Sequence, residues 1–153
     1  MAPFGKSQDT EFQKSVKLIN GYLKKLDSNI PPLSEREMGD FPLANTALSY
    51  ANIRSEVAVI KPQGQINSDL IFSTAVVPLP KNNLLPLFRQ LLVWNNLQTD
   101  IAHLAINDQQ GVIYMVMRRP VIGLDYSEFR HIVDKISAIT MNVLFMLKQQ
   151  FGI

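Results

Sequence analysis

Towards the end of the chain, Phe129, Ile132, Val133, Ile136, Ile139, Val143, Leu144 and Leu147 recur at intervals of three and four residues. That spacing predicts a long helix with one buried stripe. Asp125 is its expected N-cap, because Glu128 three residues on completes a capping box, and Leu124 and Phe129 occupy the positions of a hydrophobic staple. After Asn142 the helix is apolar nearly all round. Met141 and Phe145 fall off the main stripe, so they pack on another element or face a partner.

Two strand-like segments precede this helix. Ile101–Asn107 places Ala102, Leu104 and Ile106 on one face, and Asp108–Gly111 reads as a turn in which glycine supplies the positive φ. In Val112–Arg118, Val112, Tyr114 and Val116 share one face, and Ile113, Met115 and Met117 share the other. Both faces are apolar, which predicts a strand covered on both sides, one cover being the helix and the other a possible second subunit. Pro120 and Gly123 end the strand before the helix begins.

Earlier in the chain, Thr10 and Gln13 form a capping-box pattern, followed by Phe12, Val16, Ile19, Leu23 and Leu26 on one helical face. Lys14, Lys17, Lys24 and Lys25 lie towards the other side, either as a basic docking stripe or as a solvated face. Asp27–Pro42 reads as a loop. Ala47–Ile53, Glu56–Lys61 and Leu70–Val77 read as three strands of an antiparallel meander, with 63–67 as a hairpin loop. Asn82 or Asn83 can cap a further helix, with Pro86 in its first turn and Leu84, Phe88, Leu91, Leu92 and Trp94 on its buried side. Asn95 and Asn96 mark its end. The expected order is α-β-β-β-α-β-β-α, an α+β fold with helices packed on an antiparallel sheet.

Composition narrows the class. At 153 residues, one domain spanning 1–153 is the simplest division, with residues 1–10 expected to be a flexible N-terminus. A hydrophobic content of 46% and a charged content of 18% fit a globular chain. The net charge of +2 gives no electrostatic demand for nucleic acid or anionic lipid. The absence of cysteine excludes disulfides and thiolate chemistry. No window approaches the ~20 apolar residues of a membrane helix, and the first ten residues lack a signal-like apolar core, so a cytoplasmic protein is expected.

Candidate chemistry is sparse. The seven glycines form neither a Gly-x-Gly-x-x-Gly pattern nor a Walker loop. His103 alternates along a strand and His131 sits beside Arg130 on the last helix, without a nucleophile or a second ligand at the usual spacing. Glu35, Glu37 and Asp40 share a polar stretch but lack a calcium-loop pattern. Asp125, Glu128 and Asp134 are the acidic residues that a helix N-terminus favours on its own account. Arg118, Arg119 and Arg130, with Arg54 as an alternative third member, form a candidate anion site; each can equally be solvated or paired with a carboxylate. Neither a catalytic residue, a metal site nor a cofactor is expected.

Leu91-Leu-Val-Trp-Asn-Asn96 leads into Ala102-His-Leu-Ala-Ile-Asn-Asp-Gln-Gln-Gly-Val-Ile-Tyr114, and a Leu-Asp-x-x-x-Phe helix start follows at Leu124–Phe129. In this order the chain resembles the YbjN-like proteins, which share the fold of class I type III secretion chaperones. The resemblance spans roughly residues 12 to 150. It implies a non-enzymatic, dimeric domain; in the secretion chaperones, the dimer wraps an extended segment of client around apolar patches.

The reading that follows is a protein-binding or chaperone-like homodimer engaging a protein partner or client through apolar surface. Trp94, Met115, Met117, Met141 and Phe145 are its candidate contact residues, with core packing the alternative for each. A small-molecule or anion-sensing regulatory domain, using Arg118, Arg119 and Arg130, is the second reading. No nucleic acid or membrane partner is expected.

Overall fold

The computed structural model describes residues 9–38, 41–97 and 102–153. Most of the expected flexible N-terminus, and Asp40 of the acidic stretch, lie outside them. The first helix, α1 (Thr10–Leu26), is capped by Asp9 and not by Thr10: the Asp9 carboxylate accepts the backbone N–H of Phe12 at 3.0 Å. A carboxylate is the stronger cap because it also faces the positive end of the helix dipole. Phe12, Val16, Ile19 and Leu23 form the buried stripe, with Leu26 partly buried. All four lysines are exposed, and Lys25 stacks its ammonium over the Tyr126 ring at 4.7 Å.

The stretch read as a loop contains a strand, β1 (Ser34–Met38), paired with β2 (Phe41–Tyr50) from Ser34↔Asn45 to Met38↔Phe41. Its Ser-Glu-Arg-Glu-Met sequence has no apolar alternation because β1 is an edge strand, and charged residues there discourage further pairing. A second correction concerns 47–53, which is not one strand. Ala51 and Asn52 have φ of 49° and 65° and turn β2 into β3 (Ile53–Ile60). A turn with two positive φ values is normally signalled by glycine, and here none is present.

Next comes β4 (Asp69–Pro78), which completes the expected meander, and then α2 (Leu84–Leu97). Asn83, at φ 59°, turns the chain into α2, and Pro86 sits in its first turn, where no intrahelical N–H is missed. Leu87, Leu91 and Trp94 are buried, Leu84 and Phe88 partly so. Leu92, expected on the buried side, is 70% exposed, because that stripe runs one residue out of phase with it.

The chain then forms β5 (Ala102–Asn107), a turn through Gly111 at φ 63°, β6 (Val112–Pro120) and the long α3 (Tyr126–Phe151). Asp125 caps α3 by accepting the Glu128 N–H at 2.7 Å, and Gly152 ends it in the left-handed region at φ 65°. Leu124 and Phe129 are both buried, as the staple requires.

The six strands make one antiparallel sheet in the order β1-β2-β3-β4-β6-β5. The expected order of elements is present, with β1 added. Val57, Val59, Leu70, Phe72, Ile113, Met115 and Met117 line one face, where α1 meets β3, α3 meets β4 and β6, and α2 meets β5. Phe72 and Phe129 mark the centre of this layer, 5.8 Å apart. On the opposite face of β6, Tyr114 and Val116 are half-buried with no described helix over them. Among the described residues, helices therefore cover one face of β6.

One irregularity breaks the sheet. Pairing of β2 with β3 extends to Tyr50↔Ile53, and pairing of β4 with β6 extends to Pro78↔Val112 past a bulge between Ala75 and Val77. Between β3 and β4 it stops at Glu56↔Ser73. The two halves of the sheet fork apart beyond that rung.

Candidate interaction surface

Alternation along β6 decides what the site candidates can reach. Met115 and Met117 project to the helix-covered face and are buried, as is Trp94 on the inner stripe of α2, at 6% exposure. These three fill the core and do not reach the surface of the chain. Trp94 packs in a small apolar enclosure with Ala102, Leu104, Met115 and Val143. Met141 and Phe145, one turn apart on α3, are 52% and 63% exposed. The structure thus divides the five candidate contact residues into three core and two surface positions.

The surface pair has company that the periodicity did not single out. On α2, Leu85, Leu92 and Val93 are exposed, and Ile106 on the edge strand β5 is partly so. Exposed aliphatic side chains recurring along one helix raise that helix above the ordinary scatter of surface hydrophobics. The signal was present in Leu84-Leu-Pro-Leu-Phe-Arg-Gln-Leu-Leu-Val-Trp94, which has more apolar residues than a single buried stripe can use.

The arginines are not gathered. Neighbours on a strand point to opposite faces, so Arg118 and Arg119 diverge. Arg118 pairs with Asp69, its Nε 2.7 Å from the carboxylate. Arg119 goes to the helix side, where its fork meets Glu128 through Nε at 2.7 Å and Nη2 at 2.9 Å. It also donates to the carbonyls of Pro120 and Ile122. Arg130 acts on the Tyr50–Asp134 contact, in which the phenol donates to the carboxylate at 2.5 Å. That bond holds the Tyr50 hydroxyl above its ordinary pKa. Arg118 and Arg119 each serve a separate carboxylate on opposite faces of β6 and do not converge on one anion.

A second charged cluster ties α1 to the sheet. Lys61 bonds both Asp9 oxygens, at 2.9 and 2.8 Å, and lies 3.4 Å from Glu11. The Asp9 carboxyl is held below its ordinary pKa by Lys61 first and by the Phe12 N–H next. Burial alone would raise Glu11, but the N–H and hydroxyl of Ser68, with Ser15 and Lys61, outweigh it and hold that carboxyl low. Lys61 is raised in turn, chiefly by Asp9. This arrangement is a latch between the start of α1 and the β3–β4 connection. His103 and His131 are exposed, and among the described residues no group of three potential ligands could hold a metal ion. Nor, among these residues, is any helix long and apolar enough to cross a membrane.

No protein-family model matches the chain, and no curated protein does. Several solved structures share its fold. A chain of the ExsC–ExsE complex aligns over 92% of this chain and 97% of its own length at 16% identity, with a TM-score of 0.63. The HopA1–SchA chaperone–effector complex gives 92% and 98% coverage, 13% identity and a TM-score of 0.56. The heterodimeric ExoU–SpcU complex of the type III secretion system of Pseudomonas aeruginosa gives 86% and 99%, 16% identity and 0.57. At these identities the likeness is one of fold. The chain has the α+β fold seen in those complexes.

Proposed function

We propose that this chain is a YbjN-like, non-enzymatic protein-binding domain with a chaperone-like role, working as a homodimer that engages a protein client through apolar surface. The observation that carries this reading is the set of exposed apolar side chains on the outside of the helical layer: Leu85, Leu92 and Val93 on α2, and Met141 and Phe145 on α3. A likeness of fold to a chaperone–effector complex supports it, as does the motif run from Leu91 to Phe129.

Two apolar exposures suit two separate jobs. A self-complementary helix face can bury α2 against a second copy, while α3 remains for the client. A stable interface of ordinary size removes about 800 Å² from each partner, which a helix face and its flanks can supply. The protein-binding reading is preferred to an arginine-based sensing role, because Arg118 and Arg119 are each ion-paired to a separate carboxylate.

Analytical ultracentrifugation tests the first job. The wild type is expected at twice the chain mass, and L92S/V93S at the single-chain mass with unchanged circular dichroism. A monomeric wild type at hundreds of micromolar sinks the dimer. For the second job, the tagged protein is used to capture clients from its native lysate, beside M141S/F145S. A stoichiometric partner lost in that variant is expected, and a partner retained by it moves the client site off α3.

A further inference from the structure

We propose that the outer face of α1 is a docking surface for an acidic helix of a second protein. Successive residues of a helix stand about 100° apart, which puts Gly21 directly opposite the buried stripe of Phe12, Ile19 and Leu23. Lys14 and Lys25 lie on one side of it and Lys17 and Lys24 on the other, all within about 60°. All four are exposed, and Leu18 beside them is 38% exposed.

Charge is segregated onto this face. Of 15 basic residues these are four, and the other 11 stand against 13 acidic ones. The remainder of the chain is therefore net −2, and the outer face of α1 makes the whole positive. Among the described residues none of the four lysines is in an ion pair. Glu11, at the edge of the face, is turned to Ser68 and Lys61. Lys24 and Lys25 suit the negative end of the helix dipole, and Lys25 also meets the Tyr126 ring. Lys14 and Lys17 lie in the first half of the helix, where the dipole gives no such support, and at a spacing of three residues they repel. An acidic partner relieves that repulsion.

Gly21 selects the shape of the partner. Glycine is the poorest helix former after proline. A Cβ at this position would meet nothing within 4 Å, and its backbone is not left-handed, so the fold itself gives no reason for glycine there. Its missing side chain leaves a notch at the centre of the charged face, where a crossing helix can approach closely. The lysines span about 15 Å from Lys14 to Lys24, the length of about three turns of such a partner. A membrane fits less well, since an interfacial helix inserts its apolar face and that of α1 is buried in the core. Single-stranded nucleic acid stacks on aromatic side chains, and this face has none. The inference uses neither the α2 nor the α3 surface, so it stands apart from the dimer and the client.

Replacing Leu18 with the photo-reactive p-benzoylphenylalanine in the full chain, and mapping by mass spectrometry what it captures in native lysate, tests this. The expected adduct is a protein segment in which Asp or Glu recurs every three or four residues. K17E/K24E is expected to cut the yield roughly tenfold with unchanged circular dichroism, and about 0.5 M salt should do the same. Gly21→Gln fills the notch without changing charge. It is expected to cut the yield roughly fivefold while melting no lower than wild type, because glutamine favours a helix more than glycine does. M141S/F145S is expected to leave the yield unchanged. The proposal fails if position 18 captures lipid, nucleic acid, a segment without those acids, or nothing. It fails too if K17E/K24E or Gly21→Gln retains the adduct, or if M141S/F145S loses it, which would make the acidic segment part of the α3 client.

Discussion

The side-chain amide of Asn95 holds both backbone groups of Leu104: its Nδ2 donates to the Leu104 carbonyl at 2.9 Å, and its Oδ1 accepts the Leu104 N–H at 2.6 Å. Leu104 is on β5, an edge strand whose one neighbour is β6. An antiparallel strand turns the N–H and C=O of a given residue to the same side. The amide therefore substitutes for a missing strand on the free edge and ties α2 to it. Such a cover also discourages edge-to-edge association. Asn95→Ala removes two bonds from partly buried backbone groups and is expected to lower stability by about 1–3 kcal/mol in urea denaturation. Faster amide exchange at Leu104 should accompany it. Unchanged exchange there would show that the amide bond is not formed in solution.

Phe145 and Phe129 share a helix but should respond oppositely to truncation. Phe129 is fully buried against Phe72 and Tyr22, so Phe129→Ala should cost about 3–5 kcal/mol. Phe145→Ser changes a side chain in solvent and should stay within about 0.5 kcal/mol in the monomer. A larger loss at Phe145, appearing only at concentrations where the chain self-associates, would place that ring in the homodimer interface.

The latch at Lys61 predicts a pH dependence. Asp9 and Glu11 titrate below their ordinary values in the folded chain, so their contribution is present above the unfolded-state values and is lost as pH falls through the folded ones. Lys61 is raised, so its contribution is complete below its unfolded value and is lost as pH rises through the folded one. Both hold at neutral pH. Lys61→Met should move the Asp9 pKa upward in a carboxyl-detected NMR titration, and the acid limb of thermal unfolding should begin at higher pH. An Asp9 that already titrates at its ordinary 3.8 in wild type would rule out the latch.

Arg118 and Arg119 test whether a pair in sequence is a pair in space. Arg119→Lys loses the two-point contact with Glu128 and the carbonyl contacts at Pro120 and Ile122. With both partners partly exposed, the expected cost is at most about 1 kcal/mol, shrinking with added salt. Arg118→Lys should act separately through Asp69, and the two losses should add. Strong coupling in a double-mutant cycle would contradict their placement on opposite faces.

Elements with local signals were legible in the order of residues. Asp125 with Glu128 and the stripe from Phe129 to Leu147 specify α3 because a cap and a period are both read within a few residues. The turn at Gly111 and the split of Ile113, Met115 and Met117 from Tyr114 and Val116 follow from glycine's free φ and the strand's period of two. The stripe of α1 was legible for the same reason. Hidden in that order were β1, which as a charged edge strand needs no apolar alternation, and the Ala51–Asn52 turn, which carries no glycine.

Which side chains lie inside and which lie outside depends on packing. An apolar residue looks the same in sequence whether its face is covered or bare, so only packing could send Trp94, Met115 and Met117 to the core and leave Leu92, Met141 and Phe145 outside. Only the opposite directions of adjacent strand residues separated Arg118 from Arg119. The cleft at the sheet's fork, lined by Asn45, Arg54 and Thr140, unites residues nearly a hundred positions apart. It exists because β3 and β4 stop pairing, and the end of a ladder is set by two strands together, not by the residues of either one.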